Sequence, residues 1–300
     1  MPYATRSRGT SRKTRTRRRR ARPSAIFWRL ARRAGLAWRD ARWAIRIVVG
    51  TVLLVAVWAT VNGMVQVARK PTEAFFPVSG SLVKTPAQTW RQYRSLFAKY
   101  STSVITPEFL AALAQVEGSG NPIPRTHWRW QFSWNPFELY RPASSAVGMF
   151  QITDGTFAEA SRYGIHDHIV VEDGPSHDQR SGWLDTLYTR VVPEHAVEMT
   201  AALLDRTVAR TLERHHRAAT SLQQRQNLAA VIHLCGSGAG NAYARRAFQL
   251  RRGQQCGDHD ARRYLEEVNA VKLQFARFAA FDRSHTTPLA TVNERLTSDE

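Results

Sequence analysis

A mainly helical domain preceded by one membrane-spanning helix is the architecture this sequence predicts, and three observations carry it. Ile47 to Ala68 is a run of 22 residues without a charge, rich in Val, Leu, Ile and Ala, long enough to cross a hydrocarbon core as a helix. Downstream, apolar residues recur at three- and four-residue steps in one segment after another. No alternating strand pattern persists there, and no internal repeat stands out. At 43% hydrophobic, 300 residues suffice for one good-sized domain plus appendages.

The net charge of +19 is unevenly placed. Residues 1–46 hold 16 Lys or Arg against one acid, Asp40. Met1 to about Pro23 has almost nothing to bury and reads as disordered. Ala25 to Arg46 interleaves Phe27, Trp28, Leu30, Trp38 and Trp43 with arginines, the pattern of a basic helix lying on anionic lipid. A cleaved signal peptide is the rival reading of the apolar run, but its charged region would be far too long. The arginine excess places the N-terminus in the cytoplasm and the remainder outside it, in the periplasm of a Gram-negative cell. Arg17 to Arg20 would also bind polyanions by counterion release, yet topology and anionic lipid already account for that run, so nucleic acid is disfavoured as a partner. The expected organisation is a basic tail over 1–46, a span over 47–68, a linker over 69–87, a folded domain over 88–284 and a tail over 285–300.

The linker reading rests on Pro71, Pro77, Gly80 and Pro86, which leave little periodicity. From Thr89 the helical period begins, with Trp90, Tyr93, Phe97 and Tyr100 on one face. Thr106-Pro107 is a start signal, Thr as N-cap and Pro at the first helical position. Glu108 suits the helix dipole there. Phe109, Leu110, Leu113 and Val116 form a buried stripe leading to Glu117, and Gly118-Ser119-Gly120-Asn121-Pro122 breaks the helix. That puts one carboxylate where a packed core meets an open cleft, the setting a general acid needs. After an aromatic stretch comes Ser144-Ser145-Ala146-Val147-Gly148-Met149-Phe150-Gln151-Ile152-Thr153.

These two segments together resemble the lytic transglycosylases of the lysozyme-like superfamily, which cleave bacterial peptidoglycan. In that family a helix ends in Glu, followed by Ser-Gly-x-Asn-Pro, and a Gly-x-x-Gln-hydrophobic motif comes next. Glu117, Asn121, Pro122, Gly148, Gln151 and Ile152 match, whereas Gly118-Ser119 reverses the usual Ser-Gly. The resemblance implies a lysozyme-like helical catalytic domain without a cofactor or metal. It implies Glu117 as the catalytic acid and Gln151 as a sugar-binding amide, with Ser144, Ser145 and Met149 as further substrate contacts.

Ile123 to Ala143 reads as an insertion beside the cleft, carrying Trp128, Trp130, Phe132, Trp134, Phe137 and Tyr140. Aromatic faces stack on sugars as readily as they pack on each other, so Trp134 is a candidate substrate contact and a satellite core is the alternative. A short helix follows Thr153, and Ile165 to Thr189 is expected to be a loop. His166-Asp167-His168 lies in it as a solvated cluster rather than a metal site. Pro193 to Arg217 and Leu222 to Leu234 are amphipathic helices. The second runs into Cys235-Gly236-Ser237-Gly238, where the family carries Ala-Tyr-Asn-Ala-Gly-x-Gly. Aligning the glycines puts His233 at the position of the Tyr that faces the catalytic site, and a buried structural histidine is the alternative. Ala239 to Leu250 and Asp258 to Phe281 close the domain as helices. Cys235 and Cys256 lie beyond the span, where an oxidising compartment favours a bridge over two free thiols.

A glycosidase usually needs two carboxylates, and only Glu117 sits in a recognisable motif. The resemblance implies cleavage of the N-acetylmuramyl–N-acetylglucosamine β-1,4 bond with closure of a 1,6-anhydro ring, in which no water has to be held. Lysozyme-type hydrolysis, with Glu138 or Asp154 as the second acid, is one alternative. A non-catalytic wall-binding or scaffold subunit of a secretion or conjugation apparatus is another. The expected partners are glycan strands, the inner membrane and such an envelope-spanning machine.

Overall fold

The computed structural model describes residues 27–28, 32–33, 42–172, 174, 189–217 and 219–286. The basic tail over 1–23, most of the basic aromatic segment and most of the C-terminal tail lie outside the described residues. The chain divides into two units, residues 1–61 and 62–300. The first contributes most of α1 (Trp43–Arg69), whose 27 residues are apolar enough and long enough to cross a membrane.

The second unit is mainly helical. Its longer helices among the described residues are α2 (Pro86–Lys99), α3 (Pro107–Gly118), α4 (Asp154–Ala160), α5 (Pro193–Arg214), α6 (Leu222–Arg245) and α7 (Ala261–Thr286). The sheet among the described residues is three antiparallel hairpins: β1 (Trp128–Trp130) with β2 (Tyr140–Pro142), β3 (Gly164–His166) with β4 (Ile169–Val171), and β5 (Gln255–Cys256) with β6 (His259–Asp260). These are two- and three-residue strands, too short to leave a period-2 signal. The loop expected over 165–189 is thus partly a hairpin, turned by Asp167 and His168 with φ of 48° and 65°, the left-handed pair that matches strand twist.

α3 is the core of the unit. Phe109 to Ala114 are each 1% exposed or less, because α2 and α7 pack along it. Thr106 caps it by accepting from the Phe109 amide, with Pro107 in its first turn. At its other end Ser119 turns left-handed with φ of 50°, and the Gly120 amide bonds the Ala114 carbonyl at 3.0 Å. Asn121, 1% exposed, donates to the Ser79 carbonyl at 2.7 Å and accepts from the Ile123 amide at 2.8 Å. The Asn-Pro of the sequence therefore fastens the chain leaving α3.

The expected linker over 69–87 is a folded part of this unit. Pro71–Phe75, Phe76–Ser79 and Gly80–Leu82 are consecutive helical turns, and Thr85 opens α2 with a capping box to Gln88. Their prolines mask the helical period but fit the first positions of short turns. The buried Lys70 donates to the carbonyls of Ser144 (3.2 Å) and Ala146 (2.7 Å) and to Thr126 Oγ1 (2.8 Å). Its partner Glu73, at 3.5 Å, accepts from the Trp128 indole at 2.8 Å. Burial lowers the Lys70 pKa, and the Glu73 charge opposes that shift. Lys70→Met leaves the Glu73 carboxylate buried without its cation, and a loss of about 3 kcal/mol is expected. Denaturant melts of the full chain in detergent measure it; an unchanged midpoint contradicts the bonding role.

Candidate active site

Glu117 leaves the last turn of α3 at the wall of an open cleft of about 700 Å³. Its side chain is 17% exposed and that of His233 is 11%. Tyr264, from the first turn of α7, donates its hydroxyl to Glu117 Oε1 at 2.5 Å. His233 Nε2 approaches the same oxygen at 3.5 Å. Burial, the Glu117 charge and that hydrogen bond all push the Tyr264 pKa well above the phenol value. The phenol thus stays a donor across the working pH range, holding the carboxylate in one orientation.

The Gly-x-x-Gln turn, packed against the end of α3, lends Gln151 to the cleft lining. Val147 and Ile152 form a two-way bridge of 3.0 and 2.9 Å, and Gly148 and Gln151 both take positive φ, 82° and 50°. Gln151 donates its side-chain amide to the Gly148 carbonyl at 3.0 Å while lining the cleft. It therefore stabilises the turn and keeps its carbonyl oxygen for a ligand. A second compartment of about 300 Å³ shares Gln151, Thr153, His233 and Leu234 with the first, so the groove continues past Glu117 toward Gly236.

The remaining expected contacts divide. Ser144 lines the cleft, and its hydroxyl accepts from the Ala146 amide at 3.0 Å. Ser145 is exposed and accepts from the Asp154 amide at 3.3 Å, outside the cleft lining. Met149 does not contact the cleft. It is fully buried, because its backbone lies against Gly118 of α3, where an added Cβ would meet the Met149 carbonyl oxygen at 2.9 Å. The same contact gives the reversed Gly118-Ser119 a physical reason: position 118 has no room for a side chain. Trp134 is 94% exposed, stacked edge-on with Phe132 in the β1–β2 connection, and takes no part in the cleft. The two acids weighed for hydrolysis are engaged away from it: Asp154 pairs with Arg190 at 2.7 Å, and Glu138 accepts from Ser133.

Three acids that motif reading missed, Asp258, Asp260 and Glu267, line the cleft with His259 and Arg263. Asp260 caps α7 by accepting from the Arg263 amide at 2.9 Å. Tyr264 stands at helical spacing from Val268, Val271 and Phe275, a spacing that by itself marks a core-facing residue. One signal pointed to this wall. Cys235 and Cys256 sit at disulfide distance, 5.2 Å between Cα atoms, which brings the β5–β6 hairpin to the end of the helix carrying His233. Gly236, with φ of 79°, breaks α6 directly after Cys235. Replacing both cysteines with Ser should cost about 3 kcal/mol under oxidising conditions and nothing under reducing ones. Equal melting of the two forms in both buffers contradicts a bridge.

No family model matches the sequence, and neither a curated protein nor a solved structure does. Among the described residues no group of His, Cys, Asp and Glu is arranged to hold a metal ion.

Proposed function

We propose that this chain is a membrane-anchored peptidoglycan lytic transglycosylase with a lysozyme-like domain. The observation that carries the reading is one carboxylate, Glu117, bonded by Tyr264 and approached by His233 in a groove that Gln151 of the Gly148–Gln151 turn also lines. The resemblance of both segments to that family supplies the substrate. The family tyrosine position holds His233, yet a phenol reaches Glu117 from another helix, so the acid keeps a tyrosine partner.

In the proposed reaction Glu117 gives its proton to the bridging oxygen as the N-acetylmuramyl–N-acetylglucosamine bond breaks. The substrate's acetamido oxygen bonds the anomeric carbon in place of the leaving group. Glu117, now a carboxylate, takes the proton of the muramyl C6 hydroxyl, whose oxygen displaces the acetamido and closes the 1,6-anhydro ring. Tyr264 aligns the carboxyl for both transfers, and Gln151 and Ser144 bind the sugar. Positive charge before α1 supports a periplasmic side for the catalytic unit.

The test is mass spectrometry of peptidoglycan treated with the full chain in detergent, since Lys70 and the end of α1 belong to the folded unit. Sugars ending in 1,6-anhydro-muramyl residues are expected. Reducing-end products would instead indicate hydrolysis and direct attention to Asp258, Asp260 and Glu267. Binding without products would indicate a scaffold subunit.

A further inference from the structure

The last turns of α1 carry two buried amides, Asn62 at 2% and Gln66 at 3% exposure. Both are bonded outward from the helix. Asn62 donates to the Tyr140 carbonyl at 2.8 Å and Gln66 to the Phe137 carbonyl at 2.5 Å. Counted from Ile47, the first residue after the last arginine, a span of about 20 residues ends at about Gln66. Asn62 and Gln66 then sit at the outer edge of the hydrocarbon, where a polar group needs a protein partner. The β1–β2 hairpin supplies those partners, and so it is held at the same depth.

Its surface has the matching composition. Trp130 is 69% exposed, Phe132 88% and Trp134 94%. The tip is not loose: Gln131 bonds Leu139, and Ser133 and Asn135 cap the turn, so the aromatic rings face outward on an ordered frame. Phe75 and Phe76, in the turn that follows α1, are about half exposed. Arg125 and Arg129 are exposed on the same segment, and Arg125 lies over the Phe76 ring at 3.6 Å. A cavity of about 850 Å³ opens between Gly63 and Val67 of α1 and Phe76, Trp128 and Tyr140. Aromatic rings at the headgroup level with arginines facing phosphates are the composition of a membrane interface.

We infer that the β1–β2 hairpin and the Phe75–Phe76 turn form a lipid-docking surface, seated in the outer interface of the bilayer that α1 crosses. This rests on α1 being a span and not on the proposed catalytic activity. The cavity beside Gly63 and Val67 takes part of a lipid, and the arginines face the anionic headgroups. Glu73 accepts from the β1 indole of Trp128 and pairs with Lys70, which grips the Ser144–Ala146 loop.

The test uses the full chain in vesicles of phosphatidylglycerol and phosphatidylcholine. Nitroxide labels are placed singly by Phe132→Cys and Trp134→Cys, with Leu54→Cys in α1 and Arg252→Cys in the loop before β5 as references. Collisions with dissolved oxygen and with a water-soluble nickel chelate are compared. At 132 and 134 the oxygen-to-nickel ratio is expected several-fold above that at 252 and below that at 54. If 132 and 134 match 252 while 54 is lipid-exposed, the docking is overturned and the span stands. A nickel-accessible label at 54 overturns both. Shielding of 132 and 134 only when soluble glycan fragments are added assigns the aromatics to wall sugar and overturns the docking.

Discussion

Glu117→Gln is expected to lower formation of 1,6-anhydro-muramyl products roughly 10³-fold, the scale of a lost general acid, with the melting temperature nearly unchanged. The amide keeps the shape and can still accept from Tyr264, so the packing of α3 is undisturbed, but it has no proton to give the bridging oxygen and cannot take one from C6. Both half-reactions stop together. Digestion of purified peptidoglycan by matched amounts of the two proteins, read by mass spectrometry, checks it. Activity within a few-fold of the parent would remove Glu117 from the chemistry and leave the groove as a binding surface. A large fall in stability with the fall in products would mean that the Tyr264 bond is chiefly structural.

Gly148→Ala is expected to be the most damaging small substitution in the cleft wall. Its φ of 82° disfavours any side chain, and an added Cβ would fall 2.0 Å from the Arg190 carbonyl oxygen. Backbone on both sides has to move, because Arg190 is itself buried and donates to the carbonyls of Ser145 and Ile152. Dihedral strain and overpacking together make a loss of about 4 kcal/mol. Gly253→Ala is the matched comparison. It has φ of 66° and open space around the Cβ, so only the dihedral cost of about 1 kcal/mol is expected. Denaturant midpoints of the two variants should differ by that gap. Similar midpoints would show that the Gly148–Arg190 approach relaxes freely. Gln151 bonds the Gly148 carbonyl through both its backbone and side-chain amides, so the Gly148 variant should also lose glycan binding.

Features written locally were legible in the residues. Thr106-Pro107 and the Phe109–Val116 stripe located α3 and the carboxylate at its end, because capping and helical burial are settled within a few residues of chain. The uncharged run after Arg46 marked α1 for the same reason, since length and apolarity alone qualify a helix to cross a bilayer. The cysteine pair was legible too, as a composition of two thiols in one segment of chain.

Of the two groups beside Glu117 only His233 was legible, placed by the glycine alignment and lying 3.5 Å from the carboxylate; the phenol was not. Tyr264 stands 147 residues away, and its helical spacing looks like that of the core residues beside it. Met149 and Trp134 show the opposite error: an apolar residue beside a motif glycine is drawn into the core by close packing on Gly118, and an aromatic beside the motif is carried off by a hairpin with its own anchors. The segment after α1 read as a linker because prolines hide short helical turns, and only folding brings Lys70 to the carbonyls of Ser144 and Ala146. Sequence by itself determined the acid, the apolar helix and the Gly-x-x-Gln turn, all products of short-range sterics and hydrophobic period. Tertiary structure alone decided the phenol partner of that acid, the Asp258–Glu267 wall of the groove and the bonding of Asn62 and Gln66 to the β1–β2 hairpin, because contacts between distant segments depend on how whole helices pack and leave no mark on the spacing within either one.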